Sequence, residues 1–388
     1  MINPTDGVQT FIVKVASPCN LACTYCYEYV DDEWKKMPKI ISQHTISSLC
    51  SRIVEYSKDS KQYKFNINAH GGEPMLLGAE GLDNFFSQIK EDIPDSIEIS
   101  FGLQTNATLA SSEIAGVLVK HSVSVGISID GDSAGNSNRI FHNGEAAFPE
   151  ILKGINVLRE HGVSIAGALC VINTNVNARS TLESLAQLDF KSIDLLQPAA
   201  THDNPPTNPP IGEWWVEAFL AWIEDPALKH LRIRFFEEAL QSLVLGHSRS
   251  EWFGNPDRDY IVVRSDGSYE GLDLLKVTNG EGRITGMCVS DHSIQDALQH
   301  PDLKALSSKE LNSSPIPGCE NCAIQEWCGG GYLTTRWSEE NKFNNPSVYC
   351  NDLKKMFAVL AKHVLEGNYL EEVQHDSIHN SLTALEEV

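Results

Sequence analysis

Six short apolar segments rich in β-branched residues recur along the first half of the chain: Phe11–Ala16, Phe65–His70, Ile97–Leu103, Val123–Ile129, Val163–Val171 and Ile193–Gln197. Between them lie helical patterns near residues 43–57, 80–92, 110–121, 147–161 and 178–188. Strands this uniformly apolar are covered on both faces, and the intervening helices supply the cover. Strands joined through a helix run parallel, with right-handed crossovers. Six such units are too few to close an eight-stranded barrel. The expected fold is therefore α/β, a partial (β/α)6 TIM-like barrel with one side open for a large substrate. Chemistry in such folds sits at the C-terminal ends of the strands.

The loop after the first strand reads Pro18-Cys19-Asn20-Leu21-Ala22-Cys23-Thr24-Tyr25-Cys26. Three thiolates at this spacing surround one point, one short of the four that close a cubane iron–sulfur cluster. A 4Fe–4S cluster held this way keeps one iron open; a zinc knuckle missing a ligand is the structural alternative. After the second strand comes His70-Gly71-Gly72-Glu73-Pro74. Two glycines let a backbone approach a ligand closely, and the carboxylate beside them can take an ammonium group, although the motif alone could be a turn. The third strand leads into Gln104-Thr105-Asn106, and the fourth into Ser128-Ile129-Asp130-Gly131, with Arg139 nine residues beyond Asp130. Asp130 also suits a turn cap. Cys170, inside an apolar strand, and Cys50, on a helical pattern, read as core thiols.

The second half is organised differently. Pro198 to Pro210 carries Pro205, Pro206, Pro209 and Pro210 and reads as an extended connector. Helices are expected around 212–223 and 231–245. A hairpin is expected at Ile261–Arg264 and Ser268–Leu272, turning on Ser265-Asp266-Gly267. From Pro315 to Cys350 the chain is dense in Cys, Gly and aromatics, and such a segment needs a metal or cofactor to hold it. Cys319-x2-Cys322-x5-Cys328 is followed by Gly329-Gly330-Gly331, and Cys350 lies 22 residues after Cys328. As bare spacing this could also bind zinc. A helix follows to about Leu365, and the acidic end beyond it is expected to fray. The expected division is 8–200 for the barrel, 201–255 for connector and bridging helices, 256–365 for an auxiliary domain and 366–388 for the tail.

Charge narrows the partners. The chain has 30 Lys and Arg against 52 Asp and Glu, a formal charge of −22, which argues against nucleic acid and against an anionic membrane surface. No apolar run approaches the roughly 18 residues of a membrane span, and residues 1–8 do not read as a secretory signal, so a cytoplasmic protein is expected. Ten cysteines clustered at short spacings then favour ligation over disulfides.

The cysteine triplet with Tyr25 before its last member, followed one unit later by Gly-Gly-Glu-Pro, resembles the radical S-adenosylmethionine (radical SAM) superfamily. The resemblance implies a catalytic 4Fe–4S cluster on Cys19, Cys23 and Cys26, with SAM on its open iron. It implies that Gly71, Gly72, Glu73 and Pro74 receive the SAM amino group. Tyr25, Thr105, Asn106, Ser128, Asp130 and Arg139 would make the remaining SAM contacts. Cys319, Cys322, Cys328 and Cys350 resemble the C-terminal part of a SPASM domain, implying one auxiliary 4Fe–4S cluster. Two positions depart from that pattern: Tyr332 stands four residues after Cys328, and Tyr269-Glu270-Gly271-Leu272-Asp273 has no cysteine after the hairpin. A first auxiliary cluster is therefore expected to be lost, leaving Cys288 unassigned.

The text around Cys328 and Phe343–Cys350 resembles maturases of ribosomally made peptides, nearest the cyclophane-forming branch. That implies a precursor peptide substrate, Cβ hydrogen abstraction by a 5′-deoxyadenosyl radical and an aromatic-to-Cβ crosslink. Asp273 would be the proton acceptor, and an electron donor such as flavodoxin or ferredoxin would serve the cluster. An anaerobic sulfatase-maturing enzyme, or a thioether or ether crosslinker, is the alternative. A non-catalytic iron–sulfur or zinc protein is the rival class. Trp214, Trp215 and Trp252 could form a peptide-docking surface or pack in the core.

Overall fold

The computed structural model describes residues 7–207, 209–254, 256, 258–280, 283–311, 315–367 and 372–386. The chain forms two compact units: residues 1–129, 136–169 and 258–306 make the first, and residues 130–135, 170–257 and 307–388 the second. These units do not coincide with the four segments expected from the sequence.

The strands are β1 (Thr10–Ala16), β2 (Lys64–Gly71), β3 (Glu98–Thr105), β4 (Ser124–Ser128), β5 (Ile165–Val171), β6 (Ser192–Leu196), β7 (Arg232–Ile233), β8 (Tyr260–Val263) and β9 (Tyr269–Glu270). The principal helices are α1 (Gln43–Ser60), α2 (Gly78–Asp92), α3 (Ser112–Lys120), α4 (Phe148–Glu160), α5 (Ala178–Gln187), α6 (Ile211–Glu224), α7 (Arg234–Leu245), α8 (Cys350–Glu366) and α9 (Glu372–Glu386). The expected alternation over the first six strands is present, and every strand–strand pairing from β1 to β5 is parallel.

In the first unit the strand order is β5-β4-β3-β2-β1-β8-β9. Phe11, Val13 and Val15 of β1 are fully buried, as expected of a central strand covered on both faces. Helix α1 shows how the cover forms. Ser42 caps its first turn by accepting the Thr45 N–H, and Ile46, Leu49, Ile53 and Tyr56 bury one stripe. Burial of each such side chain contributes about 1.5–3 kcal/mol. The hairpin β8–β9 does not stand apart as an auxiliary element. Strand β8 pairs parallel with β1, Thr10 opposite Tyr260 through Val13 opposite Val263, which delivers Asp273 to the C-terminal ends of β1 and β2.

The second unit has an aromatic core. Trp215 stacks on Phe235 at 5.2 Å between ring centroids, Phe219 meets Phe236 at 5.5 Å, and Phe253 and Trp327 both contact Phe357 of α8. Strands β6 and β7 pair parallel within this unit. The acidic end is helical rather than frayed over Glu372–Glu386, because Ile378 is buried there. No helix among the described residues is long and apolar enough to cross a membrane.

Candidate active site

The cysteine loop is clamped from two directions. Its backbone pairs with the segment after β4: the Ala22 N–H donates to Ile140 O at 2.7 Å and the Thr24 N–H to Asn138 O at 3.0 Å. His142 Nε2 lies 3.0 Å from Cys19 O. From β2, the Gly72 N–H donates to Ala16 O at 2.8 Å and the Glu73 N–H to Pro18 O at 3.0 Å. A Cβ on Gly72 would stand 2.1 Å from Pro18 O, and Gly71 has φ +136° with Ala16 O equally close. Both glycines are required for the two loops to meet.

Behind them Glu73 is almost fully buried and accepts three hydrogen bonds: Met75 N–H at 3.0 Å, Thr105 hydroxyl at 2.7 Å and Asn106 N–H at 2.9 Å. Burial outweighs these bonds and lifts its carboxyl to about 7. A carboxylate has about four acceptor sites, so one position is left for a cation, and an ammonium group there would restore the charge. Pro74 opens a short 3-10 turn, Pro74–Leu77, that fixes this geometry. Asn106 Nδ2 reaches Asn20 Oδ1 at 3.0 Å and Cys19 Sγ at 3.7 Å. Gln104 Nε2 donates to Ser128 Oγ at 2.8 Å, and the Arg139 guanidinium lies 5.5 Å from the Tyr25 ring centroid. Thus Cys19, Gly71, Gly72, Glu73, Thr105 and Asn106 are brought together directly, with Tyr25 and Arg139 paired beside the cysteine loop. Asp130 Oδ1 accepts the Val171 N–H at 2.8 Å, a bond that suits the turn-cap reading.

The thiols themselves fit a metal cluster. Burial, then the Glu73 carboxylate, pushes Cys19 up to about 12; burial, then Glu28, does the same to Cys26. Thiols held this high stay protonated unless a metal supplies positive charge. In the second unit Cys319, Cys322, Cys328 and Cys350 line one cavity with Ile324, Gln325, Gly330, Pro346 and Ser347. Burial pushes Cys328 up to about 12 and also raises Cys319 and Cys350. Gly329, Gly330 and Gly331 all have positive φ, which turns the chain sharply after Cys328, and Ser242 Oγ donates to Trp327 O at 2.6 Å. Among the described residues, the group of three or more ligand atoms lying within 4.8 Å of one another is Glu28, His70 and Asp273, not either cysteine set.

The trio Glu28, His70 and Asp273 is not a cation site either, because two lysines already fill it. Lys14 Nζ bonds Asp273 Oδ1 and, at 2.7 Å, Glu28 Oε1; Lys276 Nζ bonds Glu28 Oε2. The Tyr27 hydroxyl donates to Asp273 Oδ2 at 2.8 Å. Burial alone would raise the Asp273 carboxyl, but Lys14, then Lys276 and His70, hold it well below the usual carboxylate range. Of this network the sequence singled out only Asp273. Lys14, a lone cation inside the apolar run Thr10–Ala16, was the available signal, since a buried charge requires a partner. The tryptophan reading also changes: Trp214 and Trp215 are buried in the core, leaving Trp252 of the three partly accessible, its ring tilted against Tyr332 with centroids 4.5 Å apart. Cys50 and Cys170 are buried, as core thiols should be.

Comparison with known proteins places this geometry. Residues 13–187 match the Radical SAM superfamily. The cysteine-type anaerobic sulfatase-maturating enzyme of Clostridium perfringens is 25% identical over 370 residues, spanning 90% of this chain and 95% of that enzyme. The solved structure of native anSMEcpe with bound AdoMet superimposes with a TM-score of 0.81 at 23% identity, covering 92% of this chain and 99% of that one. Streptococcus suis SuiB bound to precursor peptide SuiA gives 0.59 at 13% identity, covering 84% and 72%; both structures speak for the fold. The cyclophane assignment is corrected by the sulfatase-maturase match over nearly the whole chain. The departures that favoured it are local: Tyr269 is fully buried and Tyr332 packs on Trp252, so core side chains fill those positions without changing the framework. The radical SAM match supports S-adenosylmethionine and a catalytic 4Fe–4S cluster as the cofactors of residues 13–187. The first half of the chain carries a radical SAM domain, and the protein is a radical SAM enzyme.

Proposed function

We propose that this enzyme is a peptide or protein maturase of the anaerobic sulfatase-maturating type, oxidising the Cβ of a cysteine or serine side chain to the aldehyde of formylglycine. The observation that carries this reading is the match to a cysteine-type enzyme over 90% of the chain, with the cysteine loop, the Gly-Gly-Glu-Pro loop and Asp273 assembled in one unit.

In this reading Cys19, Cys23 and Cys26 would hold the catalytic cluster, and Cys319, Cys322, Cys328 and Cys350 the auxiliary one. Gly71, Gly72, Glu73 and Pro74 would receive the SAM amino group. Thr105, Asn106, Ser128, Tyr25 and Arg139 would frame the rest of the cofactor. The oxidation takes one hydrogen atom, one proton and one electron from the substrate side chain: serine then becomes the aldehyde directly, and cysteine becomes a thioaldehyde that water hydrolyses after release, giving the aldehyde and hydrogen sulfide. Bound SAM and the clusters supply the acceptors of the hydrogen atom and the electron. The chain's own residues orient the reactants, exclude water and accept the proton. Asp273 is the acceptor: Lys14 engages its Oδ1, and its Oδ2 accepts the Tyr27 hydroxyl, so a proton taken at Oδ2 leaves the Lys14 bond in place. An electron donor such as flavodoxin or ferredoxin would reduce the catalytic cluster.

The test is anaerobic reconstitution followed by incubation with SAM, a reductant and peptides spanning a sulfatase target residue, in cysteine and serine forms. An aldehyde captured by a hydrazide reagent, formed together with 5′-deoxyadenosine, is the expected result. A crosslinked peptide without aldehyde, or no SAM cleavage, counts against it.

A further inference from the structure

We infer that Lys14 and Lys276 are positioning residues, a two-sided clamp that keeps Asp273 ionised and aims it; this rests on the reading of Asp273 as proton acceptor. The clamp is assembled from three parts of the first unit. Lys14 lies in the buried strand β1, opposite His70 of β2 in the pairing register. Asp273 and Lys276 share the 3-10 helix Asp273–Thr278, so the lysine returns over its own turn, with Nζ 3.8 Å from Asp273 Oδ1. Glu28, from the turn Tyr27–Tyr29 that ends the cysteine loop, spans the two ammonium groups with one oxygen on each.

The two lysines and two carboxylates alternate and sum to zero charge. A second set extends them. Glu270 of β9 lies 4.0 Å from Lys14, 3.4 Å from Arg264 and 3.6 Å from Arg283, and Arg283 reaches Asp31 at 3.0 Å. Four cations thus face four anions. In a buried network this evenly balanced, neutralising one cation leaves an anion uncompensated, and the cheapest response is for a carboxyl to take a proton.

Asp273 faces every element of the network: Lys14 from β1, Tyr27 and Glu28 from the turn, His70 from β2, Glu270 from β9 and Lys276 from its own helix. The division of labour lies in the two oxygens. Lys14 and Lys276 both approach Oδ1, whereas Oδ2 accepts the tyrosine hydroxyl. The lysines therefore fix the carboxylate plane through one oxygen and leave the other for proton traffic. A cleft lined by Lys14, Glu28, Trp34, Gly72, Arg264 and Lys276 opens beside the network.

The test reads Asp273 directly. In anaerobically reconstituted holoenzyme, infrared difference spectra of wild type against Asp273→Asn isolate the Asp273 carboxyl band, with no peptide present. Wild type should stay carboxylate from about pH 8 to about pH 5, whereas Lys14→Met and Lys276→Met should bring the protonated band into that window. Lys276→Arg should restore the wild-type pattern. Lys276→Gln removes the charge while keeping a hydrogen-bonding side chain, and serves if a methionine variant does not fold. With peptide, the acid limb of the oxidation rate should move upward by at least about one pH unit in the uncharged variants. An Asp273 band that titrates alike in wild type and in both uncharged Lys276 and Lys14 variants overturns the clamp. If Asp273→Asn retains full aldehyde formation, the proton-acceptor reading falls, and the infrared shift still decides whether the lysines hold the carboxylate.

Discussion

The cysteine triplet of the first unit and the cysteine quartet of the second are both thiol sets beside glycines with positive φ, yet their surroundings differ in kind. The triplet lies among polar groups. Asn106 approaches Cys19 at 3.7 Å, the Glu73 carboxyl stands buried behind it, and His142 meets the Cys19 carbonyl. All three of its cysteines are half-buried. The quartet shares its cavity with Ile324 and Pro346, and two of its members, Cys319 and Cys328, are buried. A set with one position to spare needs polar groups to orient whatever fills it; a complete donor set needs only a rigid, dry wall.

That contrast can be broken by removing one thiol from each set. Cys23→Ala should lower SAM cleavage by at least about a hundredfold and reduce iron from about eight to about four per chain. Deoxyadenosine release near the wild-type rate would end the assignment of the triplet as the reaction centre. Next in size is Gly72→Ala, which places a Cβ 2.1 Å from Pro18 O and 2.2 Å from Tyr29 Oη. A shift of the cysteine loop by about 1 Å should cost on the order of a hundredfold in SAM cleavage, with the quartet's iron retained. Loss of all iron would mean instead that the two sets fold together.

Cys322→Ala sharpens the comparison from the other side. Aldehyde formation should fall about tenfold or more while SAM cleavage falls only a few fold, as follows if a cluster on the quartet takes the electron that leaves the substrate. Equal losses in both assays would reduce the quartet to a structural part.

The smallest effect concerns Glu73. Its folded carboxyl is raised to about 7, above the ordinary value of 4.5, so the folded chain holds a proton that the unfolded chain gives up. The associated stability is present below about pH 4.5 and is lost as pH rises through about 7. An ammonium group beside Glu73 reverses that loss. The gain in melting temperature on adding SAM to the reconstituted protein should therefore be larger at about pH 8 than at about pH 5.5. In Glu73→Gln the gain should be smaller and independent of pH. A wild-type gain that does not change with pH would detach Glu73 from the SAM amino group.

Much of the first unit was legible because its signals are local. Apolar β-branched runs, helical stripes and glycines at strand ends declare themselves within a few residues. The cysteine loop and Gly-Gly-Glu-Pro were readable on the same terms, and the structure brings them together. The surroundings of Asp273 were not. Its bond to Lys14 spans 259 residues of sequence, and its other partners come from the turn at 27–29, β2 and its own helix. Nor was the placement of the hairpin readable, because a four-residue strand fits an auxiliary domain as well as a sheet edge. Its pairing with β1 is a long-range choice.

The sequence by itself determined the alternating α/β framework, the two thiol sets and the glycines that let the loops approach. These follow from residue type and short spacing, which act through local sterics and periodicity. Only the tertiary structure decided that β8 joins β1, that Trp214 and Trp215 belong to the core, and that two lysines enclose Asp273. A buried charge is stable only beside its countercharge, and which countercharge that is depends on the folded packing of segments far apart in the chain.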